Sequence, residues 1–331
     1  MRARIALCMG DIGGIGPEIS LRTACSPSVT KVCEPVIVGD SRFLRGLARR
    51  SGITVKLRGS ATLGRRTDDG VAVVDVGRVS GRPATGRSSR EAGRVAGRAI
   101  EEAVRLAVSG DVAGIVTAPV SKESLALAGY GMVGHTELIA RLTGSKIYGM
   151  MILRGNLRIV FATSHVALRC VAGRLTKRGI LNKLKLTRDY LNLYMGIPDA
   201  RIGVTCLNPH CGEGGRVGRE EQRVIEPAIR MARDQGICAD GPYPADSIYR
   251  PTFAGRFDAI LAMYHDQGMI ALRQRGHDDV VNITLGIPCV RTSPGHGTAF
   301  DIVGKCPASE KSMVKATLEC VRIAKRLRHA G

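Results

Sequence analysis

The sequence contains no tryptophan, and aromatic residues make up only 4% of it, too few to build the stacking platforms that hold single-stranded nucleic acids. Its ten cysteines include no Cys-x-x-Cys pair, which excludes a zinc ribbon and a dithiol redox motif and fits reduced, mostly buried thiols. No apolar run reaches the roughly 18 residues a membrane helix requires. The stretch from Met1 to Met9 is broken too early by Gly10-Asp11 for a secretory signal. The expectation is a soluble, cytoplasmic protein with no membrane partner. Acid is scarce as well: 29 Asp and Glu stand against 49 Lys and Arg, a net charge of +20. That excess suits an anionic partner, either nucleic acid or a small anionic substrate. With no zinc-finger, helix-turn-helix or RNA-sheet signature, nucleic acid is the weaker candidate. The bland alternative is an arginine-rich surface that serves no partner.

What is present is ample core material. The 331 residues are 44% hydrophobic, enough for two domains or one large α/β unit. Short β-branched or apolar runs alternate with Gly/Pro/Asn turns and helical stretches, the βαβ signature of a mainly parallel sheet. Such runs are Arg4 to Met9, Pro35 to Val38, Val71 to Val76, Val112 to Val116, Leu157 to Ala162, Arg201 to Leu207 and Asp258 to Met263. Ser88-x-x-Glu91 predicts a capping box at the head of a helix with an alanine-rich apolar face, and Arg90, Arg94 and Arg98 line its solvated side. A second helix is expected from about Glu220 to Gln235, stopped by Gly236. Arg78 to Ser89 reads as a surface loop.

Open parallel sheets bind ligands beyond the carboxyl ends of their strands, and three histidines fall there: His165 after Leu157 to Ala162, His210 after Arg201 to Leu207, and His265 after Asp258 to Met263. Any one of them alone is an ordinary hydrogen-bonded strand-end residue. Three in equivalent places point to a divalent metal held by neutral imidazoles, with Asp246 a further candidate, in a zinc-, cobalt- or manganese-like centre. Glycine-rich turns at Gly10 to Gly16, at Gly134-His135-Thr136-Glu137 and at Gly212 to Gly215 could receive phosphate. None is a P-loop or a complete G-x-G-x-x-G fingerprint, so a Rossmann nucleotide site is not supported. Lys122, past the Val112 to Val116 run, could hold an anion or move a proton, or be an exposed helix-start lysine. Arg291 to Ile302 is too polar and glycine-rich for a core and is expected to be a site loop.

Six segments together are similar to the 4-hydroxythreonine-4-phosphate dehydrogenase family of vitamin B6 synthesis, nearly end to end and in order. They are Met9-Gly10-Asp11 through Gly16-Pro17-Glu18, Thr117-Ala118-Pro119, Gly134 to Glu137, Asn208-Pro209-His210-Cys211-Gly212-Glu213, Ala262 to Gly268, and Val281 to Gly286. The first segment and His296-Gly297-Thr298-Ala299 with Asp301-Ile302 also resemble the wider isocitrate and isopropylmalate dehydrogenase group. The resemblance implies two α/β/α domains with mainly parallel sheets and an interdomain active-site cleft. The first domain would comprise residues 1–131 plus 293–331 and the second residues 132–292. It also implies a homodimer whose active sites are built from both chains. Carried over position by position, it implies metal ligands at His165, His210 and His265, and substrate contacts at His135, Thr136, Asn282 and Arg291. A non-Rossmann NAD or NADP site would lie at Gly297, Thr298, Ala299 and Asp301. Where the family has lysine after Tyr-His-Asp-Gln-Gly, this chain has Arg273, which keeps the charge but cannot donate a proton near neutral pH.

The implied chemistry is oxidation of the secondary hydroxyl of 4-phosphohydroxy-L-threonine, assisted by one zinc, cobalt, manganese or magnesium ion. The product is a β-keto acid that loses CO₂ to give 3-amino-2-oxopropyl phosphate. The arginines neutralise the phosphate, and Lys122 or Asp246 handles protons. A sister activity on D-threonate or D-erythronate 4-phosphate, giving dihydroxyacetone phosphate, is the alternative, with Ala167-Leu168-Arg169 resembling that branch. A basic RNA-binding protein without catalysis is the remote one.

Overall fold

A computed structural model describes residues 2–64, 70–80, 84–273 and 280–330, the last three without side chains; residues 81–83 of the expected Arg78 to Ser89 loop lie outside the described residues. The chain divides into two compact units, Met1–Lys146 with Ile287–Gly331, and Ile147–Gly286. In chain order the first segment holds β1 (Ala3–Cys8), α1 (Gly16–Cys25), α2 (Pro27–Thr30), β2 (Cys33–Gly39), α3 (Ser41–Arg50), β3 (Leu57–Ser60), β4 (Val71–Asp75), α4 (Arg90–Val108), β5 (Ile115–Thr117), α5 (Lys122–Leu127) and α6 (His135–Leu142). The second unit holds β6 (Gly149–Arg154), β7 (Leu157–Phe161), α7 (Val171–Arg174), α8 (Lys177–Met195), β8 (Ile202–Thr205), α9 (Glu226–Arg233), β9 (Ala239–Tyr243), α10 (Ala245–Phe253), β10 (Ala259–Ala262), α11 (His265–Arg273) and β11 (Val281–Leu285). The returning segment adds β12 (Arg291–Pro294) and α12 (Lys311–Ala330) to the first unit.

Within the first unit the strands run β3-β4-β2-β1-β5-β12, every pairing parallel. Strands β1, β2 and β5 are buried along almost their whole length, as a parallel sheet covered on both faces demands. The chain leaves β1 for β2 on one side and later returns to β5 on the other, so the switch point of the sheet lies between β1 and β5. The second unit is mixed: β7, β10, β8 and β9 are parallel neighbours, while β6 runs antiparallel to both β7 and β11. Its core gathers Ile159, Phe161, Ile248, Phe257, Ile260 and Leu272.

Several local expectations shift. Helix α4 is capped by Ser89, whose hydroxyl accepts from the Ala92 N–H at 3.2 Å, whereas the Ser88 hydroxyl pairs with that of Ser121 at 2.8 Å. Glu91 takes the Ser80 N–H and the Arg94 guanidinium instead of a cap amide. The second expected helix begins as a π-helical turn, Glu221–Ile225, and becomes α9 only at Glu226. Residues 132–146 and 287–292 group with the first unit, because α6 packs on α4 and β12 pairs with β5. Arg291–Pro294 is a buried strand, not a loop; its polar side chains are accommodated by Thr117 and by the Ala316 carbonyl, which accepts from Thr292 at 2.7 Å. All ten cysteines are free, and two of them, Cys238 and Cys306, are exposed. Among the described residues no helix is long and apolar enough to cross a membrane.

Candidate active site

In the second unit the neighbouring strands β7, β10 and β8 are followed by His165, His265 and His210 respectively. Two side chains lace these strand ends together. Past β7, the Thr163 hydroxyl donates to the Met263 carbonyl at 2.8 Å. Gln267, buried in α11, donates from Nε2 to the Cys206 carbonyl at 2.7 Å, while its Oε1 accepts from the Met263 N–H and the Thr205 hydroxyl, both at 2.7 Å. Parallel strands lie about 4.8 Å apart, so these bonds hold the carriers of the three imidazoles in fixed register. Gly268 is dictated by the same packing, since a Cβ there would stand 2.7 Å from Ile159 and 2.8 Å from Phe161.

The rings of His165 and His265 meet, with centroids 5.4 Å apart, and His265 stacks on Phe161 at 5.6 Å. Together with Thr163, Val166, Leu168 and Tyr264 they line a cavity of 420 Å³. Nδ1 of His265 lies 2.7 Å from Asp266 Oδ1, and Nδ1 of His210 lies 2.8 Å from Glu213 Oε1. A carboxylate on Nδ1 orients the ring and leaves the Nε2 lone pair outward, the arrangement that metal-binding imidazoles use. The Glu213 carboxylate also raises the His210 pKa, with a smaller push from Asp246. Asp246 itself is exposed in the first turn of α10 and lines a separate cavity of 610 Å³ with Tyr249, Arg250, Tyr264 and Gln267.

His210 stands on an unusual turn. His210, Cys211 and Glu213 have φ of 50°, 56° and 46°, and Gly212 and Gly214 have 77° and 68°, all left-handed. Each side-chain-bearing residue in that region costs roughly 1–2 kcal/mol, so something must over-determine the loop. Glu221, 1% exposed, does so. One of its oxygens accepts from the Leu207 and Asn208 N–H groups at 2.9 and 2.8 Å, and the other accepts from Asn208 Nδ2 at 2.9 Å. His165 is likewise left-handed, with φ 51°.

Among the described residues no group of three or more His, Cys, Asp or Glu side chains is close enough to share one ion. The three imidazoles thus share one sheet edge, but within a single chain only His165 and His265 come together. Two imidazoles with a carboxylate-oriented partner, beside a cavity, fit part of a divalent-metal ligand set. In the same unit Asn282 sits in β11 with its Oδ1 buried and without a hydrogen-bond partner, and Arg273 ends α11, exposed.

The remaining candidates belong to the first unit and crowd its switch point. Gly10, with φ 73°, brings the chain so close to β5 that a Cβ would lie 2.5 Å from the Pro119 carbonyl oxygen. Asp11 is fully buried, accepts from the Gly13 N–H at 2.8 Å, and has its pKa raised by that burial. The Ile15 N–H donates to the Thr298 carbonyl at 3.0 Å, and a Cβ on Gly14 would lie 2.7 Å from that oxygen. The Gly297, Thr298, Ala299, Asp301 turn, with Ala299 at φ 48°, is therefore seated on the glycine loop.

Arg291, 1% exposed, donates from Nε to the Thr117 hydroxyl at 3.1 Å, and burial lowers its pKa to about 10. His135 opens α6, and its Nε2 is buried without a partner. Burial, reinforced by the Arg291 charge, pushes its pKa well below 6.5 against a smaller opposing effect of the Ala118 backbone. Thr136 follows in the same turn, and Lys122 begins α5, exposed, behind its Ser121 cap. Sequence reading missed Gln267, Glu221, Asp11 and Thr117. Gln267, Asp11 and Thr117 lie inside recognised motifs, but what gives Gln267 its role is 61 and 62 residues away, and the partners of Glu221 are 13 and 14 residues before it.

The chain is similar to known proteins along nearly its whole length. The profile of the family described as "Pyridoxal phosphate biosynthetic protein PdxA" matches residues 31–320. A 4-hydroxythreonine-4-phosphate dehydrogenase of Geobacter metallireducens is 40% identical, covering 98% of this chain and 96% of the relative. A D-threonate 4-phosphate dehydrogenase of Cupriavidus necator is 39% identical, covering 97% of each. The crystal structure of 4-hydroxythreonine-4-phosphate dehydrogenase from Klebsiella pneumoniae superposes with a TM-score of 0.88 at 35% identity, over 97% of this chain and 99% of that one. A strand-end histidine set, a glycine loop at the switch point and likeness along nearly the whole chain lead to one conclusion: the chain belongs to the family of the pyridoxal phosphate biosynthetic protein PdxA.

Proposed function

We propose that the chain is a dehydrogenase that uses a nicotinamide cofactor, NAD or NADP, to oxidise the secondary hydroxyl of 4-phosphohydroxy-L-threonine to a β-keto acid that decarboxylates to 3-amino-2-oxopropyl phosphate. The observation that carries the reading is the pair of strand-end imidazoles, His165 and His265, meeting at one cavity with His210 on the adjoining strand. A divalent cation held by His165, His210 and His265 would lower the pKa of the substrate hydroxyl and stabilise negative charge during oxidation and loss of CO₂. A homodimer with shared sites would supply the imidazole that one chain leaves apart.

This chain's own residues then bind and orient. Arg291 and Arg273 would take the phosphate dianion through charge-assisted hydrogen bonds, with Thr136 adding a hydroxyl. His135 suits a different task. Its low pKa keeps it neutral, so it adds no charge against phosphate, and its buried Nε2, without a protein partner, would accept from a substrate O–H or N–H or donate to a substrate oxygen according to tautomer. Asn282 Oδ1 would accept likewise. Gly297, Thr298, Ala299 and Asp301 would receive the nicotinamide dinucleotide against the glycine loop. Lys122 and Asp246 are the proton-handling candidates, since Arg273 cannot release a proton near neutral pH.

A second reading is favoured by the D-threonate 4-phosphate dehydrogenase of Cupriavidus necator, 39% identical: oxidation of D-threonate or D-erythronate 4-phosphate to give dihydroxyacetone phosphate. NADH formation measured on the purified chain with each substrate, before and after chelation, tests both. We expect turnover of 4-phosphohydroxy-L-threonine that chelator abolishes and added zinc, cobalt, manganese or magnesium restores. Higher kcat/KM on a sugar-acid phosphate would select the second reading, and full activity after metal removal would overturn the role given to the histidines.

A further inference from the structure

Away from every residue assigned above, the first unit carries a groove between α3 and the segment that follows β4. One part, of 420 Å³, is lined by Asp40, Arg42, Phe43, Gly46, Arg50 and Arg78, with Val79; the adjoining part, of 600 Å³, shares Asp40, Arg42 and Arg78 and adds Arg45 and Asp75. Four arginines thus converge on two acids, and both acids are occupied. Asp40 accepts the Arg42, Phe43 and Val79 N–H groups at 2.9, 3.1 and 2.7 Å. Asp75 accepts the Ser41 N–H and hydroxyl at 2.7 and 3.0 Å. Arg45 donates to the Leu57 carbonyl. Among the described residues Arg42, Arg50 and Arg78 have neither an ion pair nor a side-chain hydrogen bond.

Helix α3 is held by its Asp40 cap, by buried Leu44 and Ala48 and by Arg49 and Arg50 in its last turn, and those features account for neither Arg42 nor Gly46. It contains four arginines and no acid. Arg42 sits in its first turn, where the helix dipole disfavours a cation. Gly46 interrupts it midway, and glycine is among the poorest helix formers. A Cβ at Gly46 would approach only the mobile end of Arg50, at 3.3 Å, so no core contact requires glycine there. What glycine does is leave the backbone bare between Arg42 and Arg50, which stand one turn to either side on the same face. Beside them the half-buried Phe43 offers an aromatic wall.

Free guanidinium forks around a cavity of ligand size, with one ring beside them, match a molecule that is polyanionic at one end and flat at the other. We propose that this groove binds a nucleoside polyphosphate, with its phosphates on Arg42, Arg50 and Arg78 and its base against Phe43. The site is separate from the dehydrogenase centre and does not depend on that reading.

The test is fluorescence titration of the purified full-length chain with N-methylanthraniloyl-ATP at about 0.15 M salt, where non-specific charge attraction is screened within about 8 Å. ATP, inorganic tripolyphosphate and NAD serve as competitors. Saturable binding that ATP displaces and NAD does not is expected. Arg42→Ala and Arg78→Ala should each weaken it about tenfold, the scale of one charge-assisted contact. Phe43→Ala should make ATP and tripolyphosphate equal competitors, and Gly46→Glu should abolish binding with melting temperature retained. Dehydrogenase kcat/KM should be unchanged in Arg42→Ala. Arg230→Ala, exposed on α9 in the second unit, should bind like the parent. Equal losses at Arg230 and Arg42, full displacement by NAD, or tripolyphosphate matching ATP on the parent chain would each overturn the proposal.

Discussion

Residues here divide into those whose chemistry is written in their type and place and those whose role depends on a distant partner. His165, His210 and His265 were legible because a strand end is a place that sequence periodicity can locate. Gln267 was not, although it stands two residues from His265, because what makes it matter is the Cys206 carbonyl and the Thr205 hydroxyl on another strand. His135 was legible as a contact but not as a neutral ring, since its charge state follows from burial beside Arg291. That state has a measurable sign. A histidine whose folded pKa lies below its unfolded 6.5 resists protonation only when folded, so the unfolded chain binds the extra proton as pH falls. Its contribution is complete above pH 6.5 and is lost as pH drops below it, at up to about 1.4 kcal/mol per pH unit. Urea unfolding at pH 7.5 and 5.5 should show that slope, and His135→Asn should flatten it.

At the scale of elements, the short buried strands were legible from β-branched runs, whereas β12 was not. Its Arg-Thr-Ser-Pro sequence looks like a loop unless one knows that Thr117 and the Ala316 carbonyl await it. The head of α4 shows a smaller slip, because a serine pair at 88 and 89 offers two caps and only the backbone decides. Ser89→Ala should cost about 1 kcal/mol in denaturant unfolding, the usual value of an N-cap, and Ser88→Ala clearly less. Glu91 adds a separate acid-range effect: the Arg94 bond holds its pKa at about 2, so its contribution is present above its unfolded 4.5 and disappears toward pH 2. The left-handed His210 turn rests on Glu221. Glu221→Gln can accept through one oxygen only, which leaves a buried N–H unmet at about 1–3 kcal/mol. With the turn loosened, activity should fall more than stability, and KM should change less than kcat if His210 serves the reacting centre.

For the whole molecule, composition announced α/β architecture, and the run-turn-helix rhythm announced parallel strands, but strand order and the antiparallel β6 were beyond it. Order is fixed by which faces bury together, and a 3.6- or 2-residue period records a face without its partner. The charge of +20 is a global property with a global consequence. Like charges repel most in the compact state, and added salt screens them. Raising NaCl from about 0.05 to 0.3 M, which shortens the screening distance from roughly 14 to 6 Å, should therefore raise the melting temperature of this chain. A fall would mean that local pairs such as Arg4 with Glu34 outweigh the overall repulsion.

The first unit is assembled from two stretches of chain, with β12 and α12 arriving after Gly286. On a ribosome, which delivers about 5–20 residues per second, Ile147–Gly286 has emerged in full before the first unit receives its last strand. Strand β5 must therefore wait, one edge unmatched, for a neighbour more than 170 positions downstream. For roughly 9 to 35 seconds of every synthesis, the nascent chain exposes a sticky parallel edge near the glycine loop. That interval is when a chaperone that covers exposed strand edges has most to do.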